Sequence, residues 1–293
     1  MKTPQKPYPD LAQKLGLTEL WFKREDLHPY GSHKGRSIPL MIKEYAKTGV
    51  QKFVLSSSGN AALAALIATQ KHNQNNPTRI SLTLYVGQHI DPNKLQRLEK
   101  EITDKNTQIE QVENPKQAAF QKDKNGEAKN LRQSTDELAL KGYLELAEDL
   151  NKIPNLCAVF LPTSSGTTAQ ALGEAFLKMG TNIQIHIVQT TACHPLAEVF
   201  DTERATSNEG SLAGAIVDKV AHRKEKVIEA IHNTHGSGWI ITDDEIKKAE
   251  QIIKENTEFT ASPNSALSLA GLLRAKEKNW HFPGPVCCVI TGR

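Results

Sequence analysis

Lys34 lies in a short stretch, "GSHKGR" (31–36), whose small and polar residues are poorly suited to a helix interior or a buried strand. Most lysines are solvated surface charges, and this stretch taken alone is compatible with that. The functional alternative is an amine that forms a Schiff base, which requires a neutral nitrogen held in a defined place. The choice between the two depends on what other segments could supply.

Three other segments are rich in small and hydroxyl-bearing residues, and each follows an apolar, strand-like run. They are "SSSGN" (56–60), "PTSSGTT" (162–168) and "ITGR" (290–293). In open α/β sheets ligands bind beyond the carboxyl ends of the strands. All three segments are expected to lie at such ends, so they are candidate binding segments.

The segment 162–168 suits a phosphate, because N–H groups at a helix N-terminus lack partners and the helix dipole favours an anion there. Gly166 lets the backbone approach closely, and hydroxyls can add donors from Ser164, Ser165, Thr167 and Thr168. Ordinary N-capping is the structural alternative, since Ser and Thr are common caps. A run of this length exceeds what one cap requires.

The segment 56–60 has the same two interpretations, a capped turn or a binding loop. The backbone amides and hydroxyls of this segment could bind a carboxylate, and the side-chain amide of Asn60 could reach an aromatic oxygen, although the segment taken alone favours the capped turn. A positioned lysine, a phosphate site and an amide beside a phenolate together describe pyridoxal 5′-phosphate. That cofactor needs an amine for its aldehyde, an anion pocket for its phosphate and a partner for its ring nitrogen.

The elements that must position these residues alternate between strand and helix along the chain, which predicts parallel sheets covered on both faces. We expect two three-layer αβα lobes with mainly parallel sheets and the cofactor in the crevice between them. The large domain is predicted to comprise residues 1–45 and 136–293, and a small inserted α/β domain residues 46–135. One long amphipathic helix is predicted over 136–152. Strands are predicted at 52–57, 79–86, 107–113, 156–162, 183–191 and 285–291.

Composition excludes several classes of protein. The 293 residues carry 36 basic and 33 acidic side chains, a net charge of +3 that is too small to indicate nucleic acid or an anionic membrane as partner. No apolar run approaches the roughly 20 residues of a membrane helix. The four cysteines show no CxxC spacing, so we expect no metal site, and a cytoplasmic location is the natural expectation.

Four blocks, in matching order and spacing, resemble the fold-type II, or tryptophan synthase β-like, pyridoxal-phosphate enzymes. "KREDLHPYGSHKGR" (23–36) resembles the segment around their cofactor lysine, and "SSSGNAALAAL" (56–66) resembles their asparagine loop. "VFLPTSSGTTAQAL" (159–172) resembles their phosphate loop, although it has one glycine where many relatives have several. The end of the chain, through "PVCCVITGR" (285–293), resembles their C-terminal block.

The resemblance implies a role for each matching residue. It makes Lys34 the Schiff-base lysine and catalytic base, Asn60 the partner of the cofactor's ring oxygen, and Thr291 a neutral hydroxyl facing the ring nitrogen. It assigns the substrate carboxylate to Ser57 and Ser58, together with Asn60. The cofactor phosphate would be held by Ser164, Ser165, Gly166, Thr167 and Thr168.

The same resemblance is nearest to threonine synthases and threonine dehydratases, which implies a lyase acting on a small amino acid. Conversion of O-phosphohomoserine to threonine leads, and threonine or serine dehydratase or O-acetylserine-type β-replacement activity is the alternative. A second phosphate-binding group would distinguish them, with Lys23, Arg24 and Arg36 as candidates. A non-catalytic homologue that binds the cofactor is the alternative of another class. Family resemblance also implies a homodimer.

Overall fold

The computed structural model describes residues 2–292, which form strands and helices in alternation. The strands are β1 (Gln5–Pro7), β2 (Leu20–Arg24), β3 (Lys52–Ser56), β4 (Ser81–Gly87), β5 (Thr107–Val112), β6 (Lys129–Asn130), β7 (Ala158–Pro162), β8 (Gln184–Thr190), β9 (Ser237–Ile241) and β10 (Val286–Ile290). The helices are α1 (Pro9–Lys14), α2 (Lys34–Lys47), α3 (Asn60–Asn75), α4 (Pro92–Lys100), α5 (Pro115–Lys124), α6 (Leu138–Lys141), α7 (Leu144–Leu150), α8 (Thr167–Lys178), α9 (Lys224–Asn233), α10 (Asp243–Asn256) and α11 (Pro263–Glu277). Two single 3-10 turns occur at Glu25–Leu27 and Ala197–Val199.

The chain divides into two compact units, residues 2–27 with 143–292 and residues 28–142. The larger unit holds a sheet of strand order β1-β2-β10-β7-β8-β9, in which β1 is antiparallel and the other pairs are parallel. The smaller unit holds an all-parallel sheet of order β5-β4-β3-β6. The predicted α/β class with mainly parallel sheets is confirmed.

The centre of the larger sheet is buried on both faces, which is why β10 reads as the continuous apolar run "VCCVI". Phe22, Cys288 and Phe160 lie side by side in register on three neighbouring strands. They face the apolar cluster contributed by α10 and α11, including Leu269 and Leu272. Each such side chain contributes roughly 2–3 kcal/mol when it is fully buried.

The smaller sheet is covered by α2 and α3 on one face and by α5 on the other. Ile38 and Met41 of α2 join Leu66 of α3 in one apolar cluster against Phe53 and Leu82. On the opposite face Ala119 of α5 packs against Val54 and Tyr85. The three-layer arrangement follows from strands that present apolar side chains alternately to both faces.

The boundaries between the units differ from the sequence-based ones at 45/46 and 135/136. Residues 28–45 and 136–142 belong to the smaller unit because α2 packs on α3 there. The Ser37 hydroxyl also donates to the carbonyl of Ala139 at 2.9 Å, which ties α6 to α2. The helix that begins with Lys34 is therefore part of the smaller unit.

The single long helix predicted over 136–152 is wrong, since the chain forms α6 and α7 with a break at Gly142 and Tyr143. A Cβ atom on Gly142 would lie 2.4 Å from the Cα of Ser37, so only glycine permits this approach. Tyr143 follows immediately and is completely buried. These packing contacts override the helical periodicity of the segment.

Three strands of the larger sheet, β1, β2 and β9, have no counterpart among the predicted strands. The charged end of β2 hides the pattern, because Lys23 is a buried strand residue. Its ammonium lies 3.1 Å from a carboxylate oxygen of Asp149 and donates to the carbonyl of Thr3 at 2.9 Å. A buried ion pair with added hydrogen bonds makes this charge tolerable inside the fold.

Candidate active site

The β7–α8 junction is a tight, largely buried loop in the larger unit. Gly166 occupies the N-cap position of α8 with φ +82°, a conformation that favours glycine. A Cβ atom there would lie 2.5 Å from Cγ2 of Val227, so the close packing also excludes a side chain. No side chain among the described residues caps the first turn of α8, which leaves its N–H groups directed at a potential anion.

The hydroxyls of this junction have different hydrogen-bond partners. The hydroxyls of Ser165 and Thr167 lie 3.0 Å apart and border the first turn of α8. The Ser164 hydroxyl accepts from the N–H groups of Val217 and Asp218 at 3.2 Å each, and it lies 3.3 Å from a carboxylate oxygen of Asp218. The Ser164 side chain therefore fixes the 217–218 segment in this structure.

Thr291 lies at the same edge of the larger sheet as this junction. It follows β10, which pairs in parallel with β7 so that Cys288 is opposite Phe160. Thr291 is buried, and the next residue is fixed by Ser265, whose hydroxyl donates to the carbonyl of Gly292 at 2.6 Å. The larger unit thus brings the predicted phosphate loop and Thr291 together.

In the smaller unit Lys34 is the first residue of α2 and is partly buried. Its backbone N–H lies 3.3 Å from the hydroxyl of Ser32. Gly31, just before it, lies so close to α3 that a Cβ atom would meet Leu63 at 2.8 Å. The lysine loop and the first turn of α3 therefore lie at one end of the smaller unit.

The β3–α3 junction carries Ser57, Ser58 and Asn60, and it is more open than the β7–α8 junction. No side chain caps the first turn of α3 in the described chain. Gly59 is exposed, and nothing lies within 4 Å of the position that a Cβ atom would take. Within the loop, the Gly59 N–H donates to the Ser57 hydroxyl at 3.3 Å.

A cleft of about 430 Å³ opens beside Ser58. Its walls come from the turn after β4, including His89, and from Lys94 and Glu113. None of these three residues belongs to a motif that stands out in the sequence. Their position in the fold could have indicated them, because the turn after β4 lies at the same sheet edge as the turn after the neighbouring parallel strand β3.

Two of the three cations considered for a second phosphate are already engaged with carboxylates. Lys23 pairs with Asp149, and Arg24 donates to both carboxylate oxygens of Asp26 at 2.8 and 2.7 Å. The third, Arg36, is buried on the first turn of α2. Neither Lys23 nor Arg24 presents a free ammonium or guanidinium to a substrate.

These residues fit pyridoxal 5′-phosphate in their chemistry. The uncapped first turn of α8 and the neighbouring hydroxyls form a donor set for a phosphate, with Gly166 closing the loop around it. The smaller unit offers the Lys34 amine and, at the same end, the amide of Asn60. Thr291 offers a neutral hydroxyl at the same sheet edge as the phosphate donors.

Comparisons with known proteins agree with this chemistry. The family model for pyridoxal-phosphate dependent enzymes matches residues 1–292. The chain is 25% identical to the threonine synthase of Methanocaldococcus jannaschii, over 97% of this chain and 72% of that one. It is 38% identical to the L-serine dehydratase/L-threonine deaminase of Bos taurus, over 24% of this chain and 21% of that one.

The fold also matches solved structures. A pyridoxal 5′-phosphate-dependent aspartate racemase superposes with a TM-score of 0.83 at 17% identity, covering 100% of this chain and 90% of the other. The chain therefore belongs to the family of pyridoxal-phosphate dependent enzymes, with the fold-type II architecture and pyridoxal 5′-phosphate as its cofactor. Within residues 2–292 no helix is both long and apolar enough to cross a membrane. The same residues contain no group of three or more metal-ligating side chains.

Proposed function

We propose that this enzyme is a lyase that acts on a small amino acid with a β- or γ-leaving group. The observation that carries the proposal is the edge of the larger sheet, where Thr291 follows β10 beside the loop that leads into α8. A neutral hydroxyl at the ring nitrogen, in place of a carboxylate, favours elimination or replacement over transamination. The leading activity is that of a threonine synthase, which converts O-phosphohomoserine to threonine.

Two residues of the smaller unit, Lys34 and Asn60, act on the cofactor in this proposal. When bound, the cofactor supplies an electron sink next to the substrate's α-carbon. Lys34 would hold the cofactor through its Nζ atom, and its amine, when not bonded to the cofactor, would take the α-proton of the substrate. Asn60 donates its amide N–H to the ring oxygen.

The substrate is oriented by the open β3–α3 junction. The hydroxyls of Ser57 and Ser58 and the uncapped N–H groups of the first turn of α3 are donors suited to a carboxylate. In this proposal the bound carboxylate orients the amino acid, and the Lys34 amine takes its α-proton. The exposed loop leaves room for a substrate to enter.

Two observations favour different substrates. Similarity over 97% of the chain to a threonine synthase supports O-phosphohomoserine. The engagement of Lys23 and Arg24 with carboxylates removes two candidate groups for a second phosphate, and it favours threonine or serine dehydratase activity as the second candidate. O-acetylserine-type β-replacement is the third activity to test.

The deciding experiment offers the purified enzyme O-phosphohomoserine, threonine, serine and O-acetylserine in turn. Release of inorganic phosphate with equimolar threonine supports the leading proposal, whereas ammonia with a 2-oxo acid supports the dehydratase. Lys34→Ala is the control, and it should abolish turnover and the visible absorbance of the cofactor–lysine bond. A coloured wild type that converts none of the four compounds would be evidence for the non-catalytic alternative.

A further inference from the structure

Arg223 is a buried cation next to the phosphate junction that the resemblance does not assign. Arg223 is only 5% exposed and immediately precedes α9. Its Nη1 atom donates to the side-chain oxygen of Gln170 at 3.1 Å. Gln170 is the fourth residue of α8, and its amide in turn donates to Glu174 at 2.8 Å.

The backbone of α9 places this arginine close to the junction. The Val227 N–H donates to the Arg223 carbonyl at 2.9 Å, so the two residues are one helical turn apart. Val227 is the residue whose Cγ2 atom fills the space beside Gly166. Val227 of α9 thus supports the loop at Gly166, and Arg223, just before α9, contacts the first turn of α8 at Gln170.

The charge balance at this junction calls for such a cation. The segment 162–168 contains a single glycine, Gly166, and the Ser164 hydroxyl is engaged with the 217–218 segment. That engagement puts the Asp218 carboxylate 3.3 Å from the Ser164 hydroxyl, an anion beside a site for a phosphate. The α8 N-terminus supplies only about half a positive charge.

We propose that Arg223 is a positioning residue for the cofactor phosphate. Its guanidinium orients Gln170 and the first turns of α8, and its buried charge offsets the repulsion between the phosphate and Asp218. Charges act over longer distances in the interior than in water, so contact with the phosphate is not required. This inference rests on the proposed phosphate site at residues 164–168.

The test compares the affinity of the apoenzyme for pyridoxal 5′-phosphate with that for pyridoxal, which lacks the phosphate, by fluorescence titration. Arg223→Gln should weaken pyridoxal 5′-phosphate binding at least tenfold and change pyridoxal binding less than twofold. Arg223→Lys, which keeps the charge, should stay within threefold of wild type. Equal weakening of both compounds in Arg223→Gln would reduce Arg223 to a structural role, and no change in either would overturn the proposal.

Arg274→Gln is the matched control. Arg274 is another largely buried arginine of the larger unit, paired with Asp201 at 3.6 Å. It lies eleven residues after the start of α11, roughly 16 Å from the end that holds Gly292. Arg274→Gln should leave the ratio of the affinities for pyridoxal 5′-phosphate and pyridoxal unchanged. A selective loss of pyridoxal 5′-phosphate affinity in Arg274→Gln as large as that in Arg223→Gln would overturn the proposed role of Arg223.

Thr168→Val separates this inference from the proposed phosphate site. A lower affinity for pyridoxal 5′-phosphate in Thr168→Val but not in Arg223→Gln would refute the role of Arg223 alone. An unchanged ratio in both variants would refute the phosphate site itself.

If Arg223→Gln does not fold, the phosphorus NMR resonance of the wild-type holoenzyme decides. A phosphate monoester in water takes up a proton near pH 6. The bound phosphate should keep a constant shift from pH 8 down to 5.5, and titration near pH 6 would overturn the proposal.

Discussion

Two strand-to-helix junctions of this enzyme, β3–α3 and β7–α8, look alike in sequence and differ in structure. Both place small and hydroxyl residues between a buried strand and an uncapped helix. At the β7–α8 junction, the side chains of Val227 and Leu196 occupy the space that a Cβ atom on Gly166 would need. The Ser164 hydroxyl accepts hydrogen bonds from the backbone of the 217–218 segment. At the β3–α3 junction, Gly59 is exposed with nothing beside it.

The difference shows what a loop sequence does not determine. The same residue types give a closed loop at Gly166, where Val227 of α9 packs, and an open loop at Gly59, where no atom of the described residues lies within 4 Å of the Cβ position. A closed, rigid loop suits a cofactor that stays bound, and an open loop suits a substrate that must bind and dissociate in each turnover. We therefore expect changes at the β7–α8 junction to act on cofactor binding and stability, and changes at the β3–α3 junction to act on substrate affinity.

The largest effect is expected from Gly166→Ala. The substitution forces a side chain into φ +82° and places a Cβ atom 2.5 Å from Val227. Strain of about 1–3 kcal/mol and overpacking of a similar size should together lower the free energy of unfolding by about 3 kcal/mol. Urea denaturation measures the stability, and we expect the affinity for pyridoxal 5′-phosphate to fall more than a hundredfold.

The double variant Gly166→Ala/Val227→Ala is the control for the clash. It relieves the overpacking but not the backbone strain, so cofactor affinity should recover in part. Recovery of less than twofold would mean that Val227 does not shape the loop.

Acid should destabilise the larger sheet, which carries the β7–α8 junction. His186 on β8 is fully buried, stacks on Phe160 at a ring distance of 4.6 Å, and accepts from the indole N–H of Trp239 at 3.1 Å. Burial lowers the pKa of His186 from 6.5 to about 3. Its contribution to stability is therefore complete above about pH 7 and is lost as the pH falls from 6.5 toward 3.

At pH 4.5 this loss amounts to about 2–3 kcal/mol, which urea denaturation at pH 7 and pH 4.5 can measure. His186→Phe is the comparison variant, because it removes the titrating ring while keeping an aromatic side chain. The drop in stability between the two pH values should shrink by about that amount. An unchanged drop would show that His186 is not the group responsible.

The fold could be predicted well where strands are apolar and poorly where charges are buried. The runs that became β3, β4, β7, β8 and β10 stand out as continuous apolar segments, and their alternation with helices fixes the parallel class. β2 escapes because Lys23 reads as a surface residue until its partner Asp149, distant in sequence, is known. The break at Gly142 escapes for the same reason, since it depends on contact with Ser37.

The candidate site divides in a similar way. Motif order along the sequence is enough to propose Lys34, Asn60, the 164–168 loop and Thr291. The register of β7 and β10 then places Thr291 beside that loop, a relation that the sequence only implies. The supporting residues Arg223, Val227 and Ser265 could not be predicted, because their relevance comes from helices that pack against the site.

The smallest effect is expected from Gly59→Ala, the counterpart of Gly166→Ala at the open junction. Gly59 has φ −120°, which alanine adopts, and open space where the Cβ atom would go. The substitution should change the free energy of unfolding by less than about 1 kcal/mol, in the stabilising direction, because alanine restricts the unfolded chain. Cofactor affinity should stay within twofold, while the KM for the substrate rises if the loop must flex to admit it. A loss of stability as large as that of Gly166→Ala would mean that the β3–α3 junction is also closed, and the proposed division of labour between the two junctions would fail.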